Sequence, residues 1–185
     1  MPAPEDSTPF EYLLSVDRQC IAQQGGLVQQ ETDVSFSHGL AFQLGIHQYI
    51  IPIVDVSEVL TVKDLTSIPR SPAWLVGISN VRGNLVTLLD IHEIIFGAAM
   101  QGKYDNKRML LVKQETHHYG LIIDSIIGMK SFNAEQGTDE VPDGFDYEHI
   151  DHINAFYSSG EEWFAALSIQ SLLQDERFAQ LRNLS

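Results

Sequence analysis

Short apolar runs separated by turn residues fill most of the chain after residue 37, and this pattern constrains the fold more than any other feature of the sequence. Leu40, Phe42 and Leu44 alternate with small or polar residues, which is the period-two pattern of a β-strand with one buried face. Gly45 then supplies a turn before the next run begins. Many short strands with turns at close spacing predict a small β-barrel or a pair of barrels.

The remaining strand-like runs continue this pattern. They cover residues 49–53, 54–60, 75–81, 85–90, 108–114, 119–127 and 162–167. Pro52 predicts that its strand lies at a sheet edge or carries a bulge, because proline cannot donate a ladder hydrogen bond. The two runs on either side of Gly83-Asn84 predict a hairpin. Residues 91–96, which precede Gly97, predict one or two helical turns.

The two ends of the chain show helical rather than strand-like periodicity. Residues 9–24 predict a helix whose apolar stripe consists of Leu13, Val16, Cys20 and Ile21. An isolated helix of this length is marginal in water, so we expect the stripe to pack on the chain's own barrels or on a partner. Residues 169–181 predict a C-terminal helix. The sequence therefore divides into an N-terminal helical arm and linker at 1–37 and a β-rich domain at 38–185.

The charge balance excludes several classes of partner. The 185 residues include 11 Lys and Arg against 25 Asp and Glu, a formal net charge of −14. Such a chain is repelled by nucleic acids and by anionic membrane surfaces, so we expect neither as a partner. No apolar run approaches the roughly 20 residues that span a bilayer, and the N-terminal residues lack the pattern of a secretory signal. The single cysteine favours a reducing compartment. We therefore expect a cytoplasmic protein without direct membrane insertion.

Motifs that would indicate catalysis are absent from the sequence. The chain has no Gly-x-Ser-x-Gly nucleophile elbow and no glycine-rich phosphate loop, and Cys20 lies on the apolar stripe. His149 and His152 are three residues apart with carboxylates nearby, so on a helix they could share a metal ion. A third ligand is not indicated, and a solvated acidic loop is the simpler interpretation. We therefore predict no enzyme, no catalytic residue, no metal ligand and no cofactor. A soluble β-barrel module that senses a ligand or a metal is the alternative to the function given below.

Residues 77–90 carry a more specific pattern than a plain hairpin. A strand enters the turn Asn-Val-Arg-Gly at 80–83 and leaves through an apolar strand that ends in Leu-Leu-Asp at 88–90. This run resembles the signature of the CheW family, and the stretches 51–59 and 119–126 are similar to two further strands of that family in order and spacing. The resemblance extends from about residue 38 to residue 173. It implies a mainly β fold of two small five-stranded β-barrels that share a core.

The resemblance also implies a function. Members of the CheW family bind the tips of chemoreceptors and a regulatory domain of a histidine kinase, and they catalyse nothing. This chain is accordingly expected to be a non-enzymatic adaptor that couples methyl-accepting chemoreceptors to a CheA-type histidine kinase in a chemosensory array. Its N-terminal arm is similar to that of the family's branch in type IV pilus (twitching motility) systems. A receiver or phosphatase domain, the competing class of signalling protein, would need a doubly wound βα array, which the strand-rich order contradicts.

Individual residues acquire roles from the same resemblance. The receptor-binding positions are Val56, Glu58, Arg82 and Met129, and the family's matching Glu–Arg pair can form a salt bridge. Gly77 matches a kinase-facing position, where close approach of the partner would leave no room for a side chain. Val56 and Met129 are expected in an exposed apolar cluster that would mark an interface. The alternative is that both are ordinary core residues.

Overall fold

The computed structural model describes residues 36–105, 107–114, 116–133, 136–145 and 151–178. The helix expected at 9–24 lies outside these residues. The 3-10 turn Ile53–Asp55 joins the second strand to the third. In chain order the strands and helices are β1 (Phe36–Leu44), β2 (His47–Pro52), β3 (Val56–Thr61), β4 (Leu75–Val81), β5 (Asn84–Asp90), α1 (Ile91–Phe96), β6 (Arg108–Gln114), β7 (His117–Ile123), β8 (Ser125–Asn133), β9 (Ile153–Ser159), β10 (Glu162–Leu167) and α2 (Ile169–Gln174).

The strands form two five-stranded sheets with the same pattern of pairing, as the expected fold class requires. Their orders are β8-β1-β2-β10-β9 and β3-β6-β7-β5-β4. Each sheet contains one parallel contact, β2 with β10 and β5 with β7, and its other contacts are antiparallel. In the first sheet, Thr138 follows the edge strand β8 and forms a β-bridge with Phe156 on the other edge strand, β9. In the second sheet, Thr66 follows the edge strand β3 and forms a β-bridge with Ile78 on the other edge strand, β4. Each sheet is thereby closed into a barrel, called here barrel 1 and barrel 2.

One barrel is inserted in the sequence of the other. The first half of the domain, β1 to β5, gives its first hairpin to barrel 1 and its last three strands to barrel 2. The second half, β6 to β10, does the reverse, and a short helix ends each half. Barrel 2 is therefore one continuous segment, β3 to β7, inserted between β2 and β8 of the discontinuous barrel 1.

Both faces of β1 are buried between Gly39 and Phe42, which explains its strongly apolar run. On β1, Leu40 and Phe42 face the main core that residues of both barrels build, whereas Ala41 faces a smaller cluster within barrel 1. That smaller cluster also contains Ile50, Phe132 and Phe164. Alternating residues thus enter two different cores, and their burial holds the barrels against each other.

Two expectations about the strands are wrong. Pro52 does not mark an edge strand, because β2 lies in the middle of its sheet. The proline is the last residue of β2, beyond the part of the strand that pairs with β10, so its missing N–H costs no hydrogen bond there. The run 119–127 is not one strand but the end of β7 and the start of β8, divided at Asp124.

Asp124 marks the point where the chain passes from barrel 2 to barrel 1. One carboxylate oxygen accepts a hydrogen bond of 2.8 Å from the backbone N–H of Gly45, in the β1–β2 turn. The other forms an ion pair of 3.0 Å with Lys107 at the start of barrel 2's β6. This carboxylate therefore links the two barrels where the chain crosses between them.

Both helices are short and begin at a capping side chain. Asp90 caps α1 by accepting hydrogen bonds from the N–H groups of His92 and Glu93, and Ser168 caps α2 by accepting one from Ser171. Helix α2 ends at Gln174, earlier than the C-terminal helix predicted for 169–181. Within the described ranges, no helix is long and apolar enough to cross a membrane.

Candidate functional site

The β4–β5 hairpin presents Arg82 on a turn with unusual backbone geometry. Arg82 and Gly83 both have positive φ, +51° and +87°, which is typical of a type I′ two-residue turn. The N–H of Gly83 donates to the Asn80 side-chain oxygen at 2.9 Å and fixes the turn. Asn84, which was predicted to lie in the turn, is instead the first residue of β5. A positive φ is unfavourable for arginine, so the fold holds this side chain in place at a local energetic cost.

Glu58 on β3 is the partner of Arg82. The guanidinium Nη2 lies 2.7 Å from the carboxylate Oε1, so the structure contains the salt bridge that the resemblance implied. The two side chains differ in accessibility, with 63% of Arg82 exposed and 14% of Glu58 exposed. An ion pair open to solvent contributes only about 0–1 kcal/mol to stability. The pair therefore leaves the guanidinium of Arg82 at the surface, oriented by a carboxylate fixed in the sheet.

Gly77 lies beside the segment that closes barrel 2, and this segment supplies a physical reason for the glycine within the chain itself. Its φ is +152°, and a Cβ atom would overlap the carbonyl oxygen of Thr66 and stand 2.9 Å from a methyl carbon of Leu65. Thr66 exchanges two backbone hydrogen bonds with Ile78, the residue after Gly77. The close approach that excludes a side chain is thus made by the chain's own backbone, and no partner is needed to explain it.

The exposed apolar cluster expected from Val56 and Met129 is not formed. Val56 is 2% exposed and belongs to the main core, as the alternative interpretation held. Met129 on β8 is half-buried and packs against the same core. A β-bulge explains the difference between Val56 and Glu58: they pair with consecutive β6 residues, Val112 and Leu111, and so face opposite sides of the sheet.

Comparison with known proteins agrees with this geometry. A family model of the CheW-like domain matches residues 38–177. The chain belongs to the CheW-like domain family. Members of this family are non-catalytic scaffold or adaptor proteins of chemosensory systems, and this CheW-like protein is one of them.

Individual relatives cover most of the CheW-like protein. Protein PilI of Pseudomonas aeruginosa is 30% identical to it over 135 residues, which cover 73% of this chain and 75% of PilI. Chemotaxis protein CheW of Treponema pallidum is 27% identical over 150 residues, which cover 78% of this chain and 86% of that protein. The crystal structure of scaffolding protein TtCheW from Thermoanaerobacter tengcongensis has a TM-score of 0.66 at 17% identity, and the match covers 82% of this chain and 96% of TtCheW. The structural match supports the fold.

His152 of the CheW-like domain lies in a buried hydrogen-bond network instead of a solvated loop. It is 8% exposed; Nδ1 lies 3.1 Å from the Ser171 hydroxyl and Nε2 lies 3.1 Å from the Asp175 carboxylate. His149, the other half of the possible metal pair, lies outside the described residues. In the part of the chain that the structure describes, no group of three or more His, Cys, Asp or Glu side chains is arranged to hold a metal ion. The sequence gave no sign of the His152 network, because its members become neighbours only through the fold.

The residues after α2 connect this network to barrel 2. Arg177 donates several hydrogen bonds of 2.6–3.0 Å to Asp175, and these bonds lower the pKa of Asp175 to about 2. The same guanidinium donates to the carbonyl oxygen of Ile94 on α1 at 3.1 Å. The ring of Phe178 meets Trp74 edge-on, with centroids 4.6 Å apart. The C-terminal segment therefore connects His152, next to β9 of barrel 1, with α1, the helix that follows β5 of barrel 2.

Asp90, the last residue of the CheW signature run, has a structural role. It is fully buried, and its carboxylate accepts four hydrogen bonds. Besides the two capping N–H groups, the donors are the N–H of Met100 at 2.8 Å and the hydroxyl of Tyr104 at 2.7 Å. Burial and the hydrogen bond to Asp90 raise the pKa of Tyr104. The aspartate thus holds the start of α1 and the loop that follows it in one arrangement.

Proposed function

We propose that this CheW-like adaptor couples methyl-accepting chemoreceptors to a CheA-type histidine kinase in the cytoplasm. The observation that supports receptor binding most directly is the exposed Arg82–Glu58 ion pair. Its arginine stands on a strained turn, and the pair contributes little to folding, so stability alone does not explain it. The family fold supplies the context, since members of this family are scaffolds of chemosensory systems.

The output of the array is proposed to be twitching motility driven by type IV pili. Support comes from the similarity to protein PilI, which covers 73% of the chain at 30% identity, and from the N-terminal arm at 1–37. The arm would give the adaptor a contact specific to the pilus system, through its own packing on the barrels or through docking on a partner.

The residues divide into direct and supporting roles on this proposal. Arg82 and Glu58 form the polar part of the receptor surface, and the half-buried Met129 is assigned to it by the family resemblance alone. Val56 has a supporting role, because its buried side chain anchors the strand that carries Glu58. Gly77 shapes the proposed kinase-facing surface by allowing the segment around Thr66 to lie close against β4.

Receptor coupling is tested with paired variants of the exposed charges. Arg82→Ala and Glu58→Ala should fold with unchanged melting temperature and lose affinity for the cytoplasmic fragment of a methyl-accepting chemoreceptor, measured by titration calorimetry. Lys113→Ala removes an exposed lysine on β6 that forms no ion pair among the described residues; it is the matched control and should bind normally. If Arg82→Ala melts several degrees lower and binds the receptor as well as wild type, the arginine serves the hairpin and the receptor role is wrong.

The kinase-facing surface is better tested beside Gly77 than at Gly77 itself. A side chain at Gly77 would disturb the closure of barrel 2, so a loss of binding there would not separate folding from contact. Ile68 lies in the closing segment, is 37% exposed, and leaves Gly77 untouched. On the proposal, Ile68→Asp keeps its melting temperature and loses affinity for the regulatory domain of the kinase while it retains the receptor. Unchanged kinase affinity in that folded variant would count against this surface.

A further inference from the structure

A local concentration of positive charge surrounds Arg82, although the chain as a whole carries a net charge of −14. A surface hollow of about 420 Å³ next to β3 and β4 is lined by the side chains of Lys63, Arg82 and Arg108. These are three of the chain's 11 basic residues, and all three are exposed. Asp64 is the acidic residue that lines the same hollow. The hollow is therefore positive at its rim while most of the surface is acidic.

The other two basic side chains of this rim have no internal counter-charge in the described part of the chain. Arg82 is paired with Glu58, but the ion pairs of the described residues include neither Lys63 nor Arg108. Arg108 donates instead to the neutral hydroxyl of Thr61 at 3.1 Å. By contrast, the neighbouring Lys107 is neutralised by Asp124. The positive charge at the rim thus remains available to an external group.

The walls of the hollow are partly apolar, and this restricts the kind of partner. Val59, Leu60 and Val81 line it and are only partly buried. A bare anion would gain nothing from such walls, and nucleic acid is repelled by the rest of this acidic chain. An apolar surface within a charged rim fits a protein segment that carries both apolar and acidic side chains.

We propose that this hollow receives an acidic, amphipathic segment of the chemoreceptor, with receptor carboxylates facing Lys63 and Arg108 beside Arg82. The inference rests on the proposed function and adds the chemistry of the partner. Complementary charge at the rim of an interface mainly raises the association rate and selects the partner. Glu58 then has a second consequence, because it holds Arg82 at the rim and repels a carboxylate that enters in the wrong register.

The test compares charge reversals in the hollow with one charge reversal outside it. Lys63→Glu and Arg108→Glu remove positive charge from the hollow, and Lys113→Glu makes the same change in net charge about 16 Å away along β6. The probe is the cytoplasmic fragment of a methyl-accepting chemoreceptor that binds the wild-type chain, measured by surface plasmon resonance at low and high salt. We expect each reversal in the hollow to weaken binding roughly threefold to tenfold, chiefly through slower association. The effect should shrink at high salt, and Lys113→Glu should stay within about twofold of wild type.

Three results would overturn the inference, and they differ in what else they reject. If both reversals in the hollow bind like wild type while Arg82→Ala does not, the acidic-segment inference is wrong and the receptor role of Arg82 stands. If Lys113→Glu weakens binding equally, the effect reflects net charge and the hollow has no special role. If the wild-type chain binds no receptor fragment, the proposed function fails and the inference fails with it. A receptor variant with an acidic residue changed to lysine should restore binding to Lys63→Glu, and thermal melting confirms that each variant is folded.

Discussion

Replacing Asp90 should reveal how much of the CheW signature serves folding. In Asp90→Ala the start of α1 loses its cap, which costs about 1 kcal/mol. The buried N–H of Met100 and the hydroxyl of Tyr104 lose their acceptor, at about 1–3 kcal/mol for a buried donor and about 1 kcal/mol for a more accessible one. The sum is about 3–5 kcal/mol of unfolding free energy, a large part of the 5–15 kcal/mol typical of a domain.

Urea denaturation and thermal melting followed by circular dichroism measure this loss. For a chain of this size the expected decrease in Tm is about 6–20 °C. Tyr104→Phe, which removes one donor and leaves the carboxylate its other three bonds, should cost only about 1 kcal/mol. Below its melting temperature Asp90→Ala should still bind the receptor fragment, because the buried carboxylate lies outside the Arg82 surface. A Tm within about 2 °C of wild type, or equal losses in the two variants, would refute the assigned role of Asp90.

Three further predictions concern other parts of the chain. Arg177 lowers the pKa of Asp175 from 3.8 to about 2, so the charged carboxylate stabilises the fold above about pH 4 and this stabilisation is lost as the pH falls toward 2. In urea denaturation, the extra unfolding free energy of wild type over Asp175→Asn should vanish over that range. Gly77→Ala should lower the unfolding free energy by about 2–4 kcal/mol, because the new Cβ clashes with Thr66. Gly83→Ala also has positive φ but no atom within 4 Å of the new Cβ, so it should lower the unfolding free energy by only about 1 kcal/mol. Similar losses in the two variants would contradict the clash with Thr66. Deletion of residues 1–24 should lower the Tm if the arm packs on the barrels. If the arm docks on a partner, the deletion should instead remove that partner from the proteins that co-purify with the chain. A truncated chain with unchanged Tm and unchanged partners would show that the arm is a passive tail.

Much of the secondary structure could be predicted from local pattern, because each run carries its own boundary residues. The expected bounds of β6, α1 and β10 agree with the structure, since apolar periodicity and a following turn residue define each of them. Strand β9 was missed because small and polar residues interrupt its alternation. The break at Asp124 was also missed, because an acidic residue within an apolar run gives no local sign that the chain changes barrels there.

The candidate site was predictable in part, and the errors have physical causes. The Glu58–Arg82 contact came from a resemblance between ordered motifs, since no local rule joins residues 24 positions apart. The exposure of Val56, expected from the same resemblance, was predicted wrongly because a bulge places Val56 and Glu58 on opposite faces of the sheet, and the spacing of a motif does not reveal a bulge. The cationic hollow depends on residues from β3, β4 and β6, so only the folded chain brings them together.

The insertion of barrel 2 within the sequence of barrel 1 has a consequence for how the adaptor unfolds. When barrel 1 opens, the main core that it shares with barrel 2 is exposed to water. Unfolding should therefore be a single cooperative event. The chain's two tryptophans, Trp74 next to β4 and Trp163 on β10, lie in different barrels, and their fluorescence should change at the same denaturant concentration. On this expectation, no intermediate keeps the proposed receptor surface after barrel 1 has unfolded, and the population of half-active protein in an array stays small.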